Sequence, residues 1–319
     1  MKTKISILLC LTFLTTGCST LVQKIAVGET SSLLLNASDE LWYETDLQLV
    51  EQGTPGLIKL IEGLHFVEPK NTNLLSSLTK AYAGFGFLKH ETKLIKYQLL
   101  DEENPKLKKQ LEGNYSKAIS YGFKFLKESG VDPRNLFSNA SNPEKLMSFL
   151  DKLDVNKSSL EAVFFTGQSL GSLIILNRDD LRMIAQRSIA STMFEWVCGH
   201  DPNFNEGSCY IFKAMNLSLT PTMLGGDPVK GKALFKEGIQ SFPQNWIIRT
   251  AMLRYNSIPQ EDEDEYQSQK AFFIREKKKY NDSLIYKPGV ISKKSKNALF
   301  QGLALKRFDI IRSVESELF

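Results

Sequence analysis

The sequence predicts an all-α fold in which stacked helix pairs form a TPR-like, solenoid-like bundle. Three observations carry this prediction. Apolar residues recur at helical spacing nearly everywhere, no alternating strand pattern bounded by hairpin turns occurs, and proline- or glycine-bearing breakers divide the periodic stretches. Together they give about a dozen helices of ordinary length with short connections.

The chain opens with Lys2 and Lys4, an apolar run from Ile5 to Leu14, then Thr15, Thr16 and Gly17 directly before Cys18. This is the pattern of a signal peptide over residues 1–17 with cysteine as the first mature residue. The apolar run is shorter than the roughly 20 residues a spanning helix needs. In bacteria the pattern reads as a lipobox. The Cys18 thiol takes a diacylglyceryl group and its freed amine a further chain such as palmitate, because one acyl chain alone binds membranes only marginally. Ser19, rather than aspartate, directs the anchor to the outer membrane, facing the periplasm. Residues 18–319 are expected to form a single helical domain that begins near Leu21, with little linker.

Along that domain, Leu57, Leu60, Ile61 and Leu64 share one helix face, as do Leu74, Leu75, Leu78, Ala81 and Tyr82, and Ala233, Leu234 and Ile239. Breakers are expected at Thr54-Pro55-Gly56, Asp132-Pro133, Asn142-Pro143, Asp201-Pro202, Gly225-Gly226-Asp227-Pro228, Ile258-Pro259 and Lys287-Pro288-Gly289. A repeat runs through the pattern. A helix carrying Gly63 leads to Pro69-Lys70-Asn71 and a second helix, and one carrying Gly238 leads to Pro243-Gln244-Asn245 and a second helix. Gly113 with Pro133-Arg134-Asn135 makes a looser third copy. The small residue would let the paired helices approach, proline would end the first and asparagine would cap the second.

The formal net charge of +4 falls to +2 without Lys2 and Lys4, so nothing points to a nucleic-acid partner. The runs Lys277–Lys279 and Glu261–Glu265 read as solvated helix ends. Two cysteines remain in the mature chain, Cys198 and Cys209, flanking what resembles the turn of a helical hairpin. An exported pair of this kind favours a disulfide over two buried thiols. A zinc site from Cys198, His200 and Cys209 lacks a fourth ligand.

Gly167-Gln168-Ser169-Leu170-Gly171 matches the nucleophile elbow of serine hydrolases, and Val163-Phe164-Phe165 before it could serve as the strand. A serine esterase also needs an acid and then a histidine later in the chain, and His200 follows after only about 30 residues with no βαβ pattern between. The glycines are better read as close helix contacts and Ser169 as locally bonded. No phosphate loop, dinucleotide fingerprint or paired metal histidines are present, so no enzyme activity, cofactor or metal is expected. His65, ending an apolar face, is expected in a core or capping role, and His90, between Lys89 and Glu91, on a solvated face.

A longer signature spans Glu161 to Phe235. It includes Phe164-Phe165-Thr166-Gly167, Leu170-Gly171, Asn177-Arg178-Asp179-Asp180, Asp201-Pro202-x-Phe204-x-x-Gly207, Pro221-Thr222-Met223-Leu224-Gly225-Gly226-Asp227-Pro228 and Lys232-Ala233-Leu234-Phe235. Agreement extends to Pro69-Lys70-Asn71, Leu75, Ala81 and Tyr82, and to the C-terminal helix ending Leu318-Phe319. The chain thus resembles the T component of tripartite ATP-independent periplasmic (TRAP) transporters, the TatT-like lipoproteins. It departs from that pattern where tryptophan is common near Phe165. The resemblance implies an all-helical TPR-like lipoprotein that assembles as a homotrimer and partners the periplasmic solute-binding subunit. It further implies an apolar pore or cavity for a small hydrophobic organic acid, and no catalytic residues. The remaining alternative is a structural outer-membrane lipoprotein that scaffolds an envelope complex.

Overall fold

The computed structural model describes residues 25–285, 288–289 and 295–319. The signal peptide, Cys18 and the expected start of the helical body at Leu21 lie outside them. The fold is all-α, and no strand occurs among the described residues. Helix α1 covers residues 25–37 and runs into a 3₁₀ turn, Ser38–Tyr43. Then follow α2 (Leu47–Val67), α3 (Thr72–Phe85), a π-helical turn (Gly86–Glu91), α4 (Thr92–Leu99), α5 (Pro105–Glu128), α6 (Pro133–Ser138) and α7 (Pro143–Leu150). Next come α8 (Lys157–Leu176), α9 (Leu181–Ile184), α10 (Arg187–His200), α11 (Ser208–Leu219) and α12 (Pro228–Ser241). After α13 (Ile247–Met252) a second π turn, Leu253–Ser257, leads to α14 (Glu263–Leu284) and α15 (Ala298–Arg312).

Short side chains set most of the helix starts. Asn104-Pro105, Asp132-Pro133, Asn142-Pro143 and Asp227-Pro228 each open a helix in the same way. The Asx side chain accepts a first-turn N–H, and proline occupies a position whose N–H would be unpaired anyway. Asn71 caps α3 by accepting from the Leu74 N–H at 3.1 Å, as its place after Pro69 predicts. In the third copy the roles differ: Asp132 is the cap and Asn135 lies inside α6.

Pro55 corrects the expected break at Thr54-Pro55-Gly56, because it sits inside α2. The Thr54 hydroxyl donates to the Val50 carbonyl at 2.6 Å, and Val50, Ile58 and Ile61 on either side are buried along one stripe. That continuous apolar face outweighs the one backbone bond proline removes. The regular small-residue contact of the repeat is likewise limited to one copy. A Cβ on Gly238 would meet Tyr210 at 2.7 Å on α11, whereas Gly63 and Gly113 face open space. TPR-like regularity is therefore not confirmed, although helix hairpins such as α2–α3 and α11–α12 do pack side by side.

The centre of the molecule is α8. It packs on α3, α5 and α10, and its buried residues include Val163, Phe164 and Leu170. Val163-Phe164-Phe165 is therefore helical and not a strand: β-branched and aromatic residues fit a helix that is covered on several sides. Against α8, a Cβ on Gly122 of α5 would lie 1.8 Å from Thr166 Oγ1, so the two axes approach as only glycine allows. The C-terminal helices α13 and α15 close the other side of the molecule, around Phe273 and Phe308, whose rings stack with centroids 4.6 Å apart.

Candidate functional site

Between these two groups of helices lies a cavity of about 500 Å³. Its wall is assembled from α1, the 3₁₀ turn, α2, α3, both π turns, α8, α10, α11, α13 and α15, with Asn205 and Asn245 from loops. Most of the lining is apolar, for example Leu57, Phe85, Phe165, Ile175, Met215 and Phe300. Helix α8 supplies Phe165, Gln168, Ser172 and Ile175 to this wall, at the spacing of one helical face. An aromatic stack backs the same wall. Phe164 contacts Phe194 at 5.2 Å and Phe204 at 4.7 Å between centroids, and Phe194 lies 4.0 Å from Phe212.

The apolar wall is interrupted by a buried charged cluster. Glu91, at the end of the first π turn, accepts from Arg254 Nη1 at 2.9 Å; Arg254 belongs to the second π turn. The other carboxylate oxygen accepts from the Tyr115 hydroxyl at 2.6 Å and the Ser172 hydroxyl at 3.2 Å. Arg307 of α15 lies 3.5 Å from Glu91 Oε1 and donates to Thr92 Oγ1 and to the Phe87 carbonyl, each at 3.0 Å. Its guanidinium also covers the Phe87 ring at 3.6 Å, a cation–π contact. Burial pushes the Glu91 carboxyl up, but Arg254 and Arg307 outweigh it and hold the group below its ordinary range. Both π turns thus place an ionised side chain in one cluster, in keeping with the tendency of π turns to occur at functional positions.

A second charged pair sits elsewhere on the wall. Lys80 lies 2.7 Å from Glu161 and 3.6 Å from Asp39, while Glu161 Oε2 is buried without a hydrogen-bond partner. Here burial prevails over the lysine, and the Glu161 carboxyl is pushed up.

The residues singled out in sequence divide into wall and scaffold. Phe165 and Gly171 line the cavity. Gly167 faces α10, where an added Cβ would meet Met193 at 3.1 Å. Asp201 closes α10 and accepts from the Asn203 N–H, and Phe204 supports Phe164. Gly207 has φ of 95° at the start of α11. In the turn from α11 to α12, Pro221 O accepts from the Gly226 N–H, Gly225 is left-handed and Asp227 caps α12. A Cβ on Gly226 would overlap the Thr220 carbonyl at 1.7 Å, so that turn requires glycine. Cys198 and Cys209 are joined by a disulfide that ties the end of α10 to the start of α11.

Ser169 corrects the expected local bond: it is fully buried inside α8 with its hydroxyl unpartnered, and it is not an exposed nucleophile on a strand–helix elbow. His65 ends α2 and meets the Tyr121 ring edge-on at 5.6 Å. His90 corrects the expectation of a solvated face: the π turn shifts its register and buries it against Phe85 at 5.5 Å. Glu265, within the acidic run, is also buried and paired with Lys232 and Lys236, so only part of that run is a solvated helix end. No group of three or more potential metal ligands occurs among the described residues.

Sequence reasoning missed Glu91, Arg254 and Arg307, which lie far apart in the chain. One signal was present. Leu303, Arg307 and Ile311 fall on one face of the C-terminal helix, and an arginine on an apolar face requires a buried partner.

An all-α body enclosing a largely apolar cavity, interrupted by two charged groups, defines the class: a helical protein with an internal cavity of the size ligand pockets have. A model of the TRAP transporter T-component family matches residues 43–271, and the chain belongs to that family. Membership gives it an accessory role in a TRAP transporter. No curated protein matches the chain.

Proposed function

We propose that this protein is the lipid-anchored T component of a TRAP transporter. It holds a small hydrophobic organic acid in its central cavity and exchanges it with the periplasmic solute-binding subunit. The observation that carries this reading is the apolar cavity of about 500 Å³ walled by α8, within a chain of the T-component family. Ligand pockets typically span roughly 300–1,000 Å³ and combine an apolar lining with a few placed polar groups. Acylation of Cys18 would hold the body at the outer membrane, in the periplasm, where a soluble subunit must come to it. A homotrimer would place several cavities together at that surface. No step of this role needs a catalytic residue or a cofactor.

Crosslinking in intact cells, followed by purification of the full-length lipoprotein from membranes, tests the reading. A periplasmic solute-binding subunit of a TRAP transporter should be recovered as the main partner. Recovery of envelope proteins with no such subunit would favour the scaffold instead.

A further inference from the structure

We propose that the Glu91–Arg254–Arg307 cluster is the seat for a single carboxylate, so that the cavity takes a monocarboxylic acid with its hydrocarbon chain against the apolar wall. The inference rests on the reading of the cavity as a ligand site and assigns the residues that recognise the ligand.

Two guanidiniums face one carboxylate, and the side chains of Glu91, Arg254 and Arg307 are each no more than 8% exposed. The other groups bonded to the cluster are all neutral: the hydroxyls of Tyr115, Ser172 and Thr92, the Gln98 amide and the Phe87 carbonyl. One positive charge is therefore left over in a low-dielectric wall, an arrangement that an anion would stabilise.

Arg307 lines the cavity and spends Nε and Nη2 on Thr92 and Phe87, but Nη1 has no hydrogen-bond partner among the described residues. Gln168, one turn before Ser172 on the same face of α8, also lines the cavity with no partner among the described residues for its amide. A guanidinium N–H and an amide N–H together suit a carboxylate, which accepts through two oxygens.

The wall matches a ligand with one charge. Lys80, the other basic residue on the wall, is already neutralised by Glu161 and Asp39. A second carboxylate would have to break that pair to find a cation.

Titration calorimetry of the full-length protein in lipid nanodiscs, with empty discs as the blank, compares decanoate with its uncharged methyl ester. The wild type should bind decanoate about tenfold more tightly or better. Arg307→Gln, which leaves Glu91 and Arg254 paired one to one, should bind acid and ester alike. Gln168→Leu, a milder change at a half-buried position, should weaken decanoate by about threefold to tenfold and leave the ester unchanged. Equal binding of acid and ester by the wild type, or a preference that survives in Arg307→Gln, overturns the carboxylate seat but leaves the apolar cavity as a ligand site. Binding of neither compound overturns both. Should Arg307→Gln fail to fold, the wild-type comparison and Gln168→Leu decide the matter.

Discussion

The two halves of α8 meet the rest of the molecule through opposite electrostatics. Near its start, Glu161 has one lysine at 2.7 Å and one oxygen with no partner, and burial pushes its carboxyl up. Near its end, Ser172 joins Glu91, whose two oxygens are bonded to an arginine and two hydroxyls, and whose carboxyl is held down. The glycines differ in the same way. Gly167 is pressed against α10, whereas an added Cβ on Gly171 would touch only Phe194, at 4.0 Å, and Gly171 lines the cavity. One helix thus carries a tightly packed end, where Glu161 is poorly satisfied, and a cavity end, where both oxygens of Glu91 are bonded and space is left open.

The largest effect that separates the two ends should come from Glu91→Gln. It leaves two buried guanidiniums without a counter-charge and should cost about 3–5 kcal/mol, read as a lowered denaturant midpoint at neutral pH. Glu161→Gln removes a carboxylate that burial already disfavours, and should change stability by about 1 kcal/mol or less. A loss at Glu161 as large as that at Glu91 would erase the distinction.

The pH dependence of the two carboxylates has opposite sign. The folded state holds a proton on Glu161 more tightly than the unfolded chain does. Its contribution therefore falls as pH rises from the ordinary 4.5 through the higher folded value. Glu91 binds its proton less tightly when folded, so its contribution is present above 4.5 and is lost as pH falls through the lower folded value. Stability measured against pH should accordingly gain less on acidification in Glu161→Gln than in the wild type. An unchanged profile would show that Lys80 keeps Glu161 ionised in an ordinary way.

The smallest effect concerns the two glycines. Gly167→Ala adds a methyl 3.1 Å from Met193 Cβ, and should destabilise by about 1 kcal/mol once the gain in helix propensity is subtracted. Gly171→Ala meets no close atom and should stabilise by about 0.5–1 kcal/mol, while reducing the cavity by a methyl group. Thermal unfolding of the two variants compares them directly, and shifts of the same sign would contradict the division of α8.

Much of the scaffold is readable before any coordinates. Helical spacing gives the class, the Asx-Pro breakers Asp132-Pro133, Asn142-Pro143 and Asp227-Pro228 mark three helix starts, and Asn71 follows Pro69 as a cap. The Gly225-Gly226-Asp227-Pro228 turn stands out in sequence because its conformation is local. Reading failed where a local rule met a tertiary one. Pro55 stays helical because Val50, Ile58 and Ile61 are buried on both sides of it. His90 is buried because a π turn, which no residue spacing announces, rotates it inward.

The linear order of residues was enough to establish an all-α chain, the capping of its helices and the family to which it belongs. These depend on neighbours within one or two turns, or on a pattern carried along the chain. The cavity and its charge were decided only when the helices packed. Glu91 and Arg254 are 163 residues apart, and Arg307 donates to the Phe87 carbonyl 220 residues away. A buried ion cluster exists only where such segments exclude water together, and no stretch of sequence contains that condition.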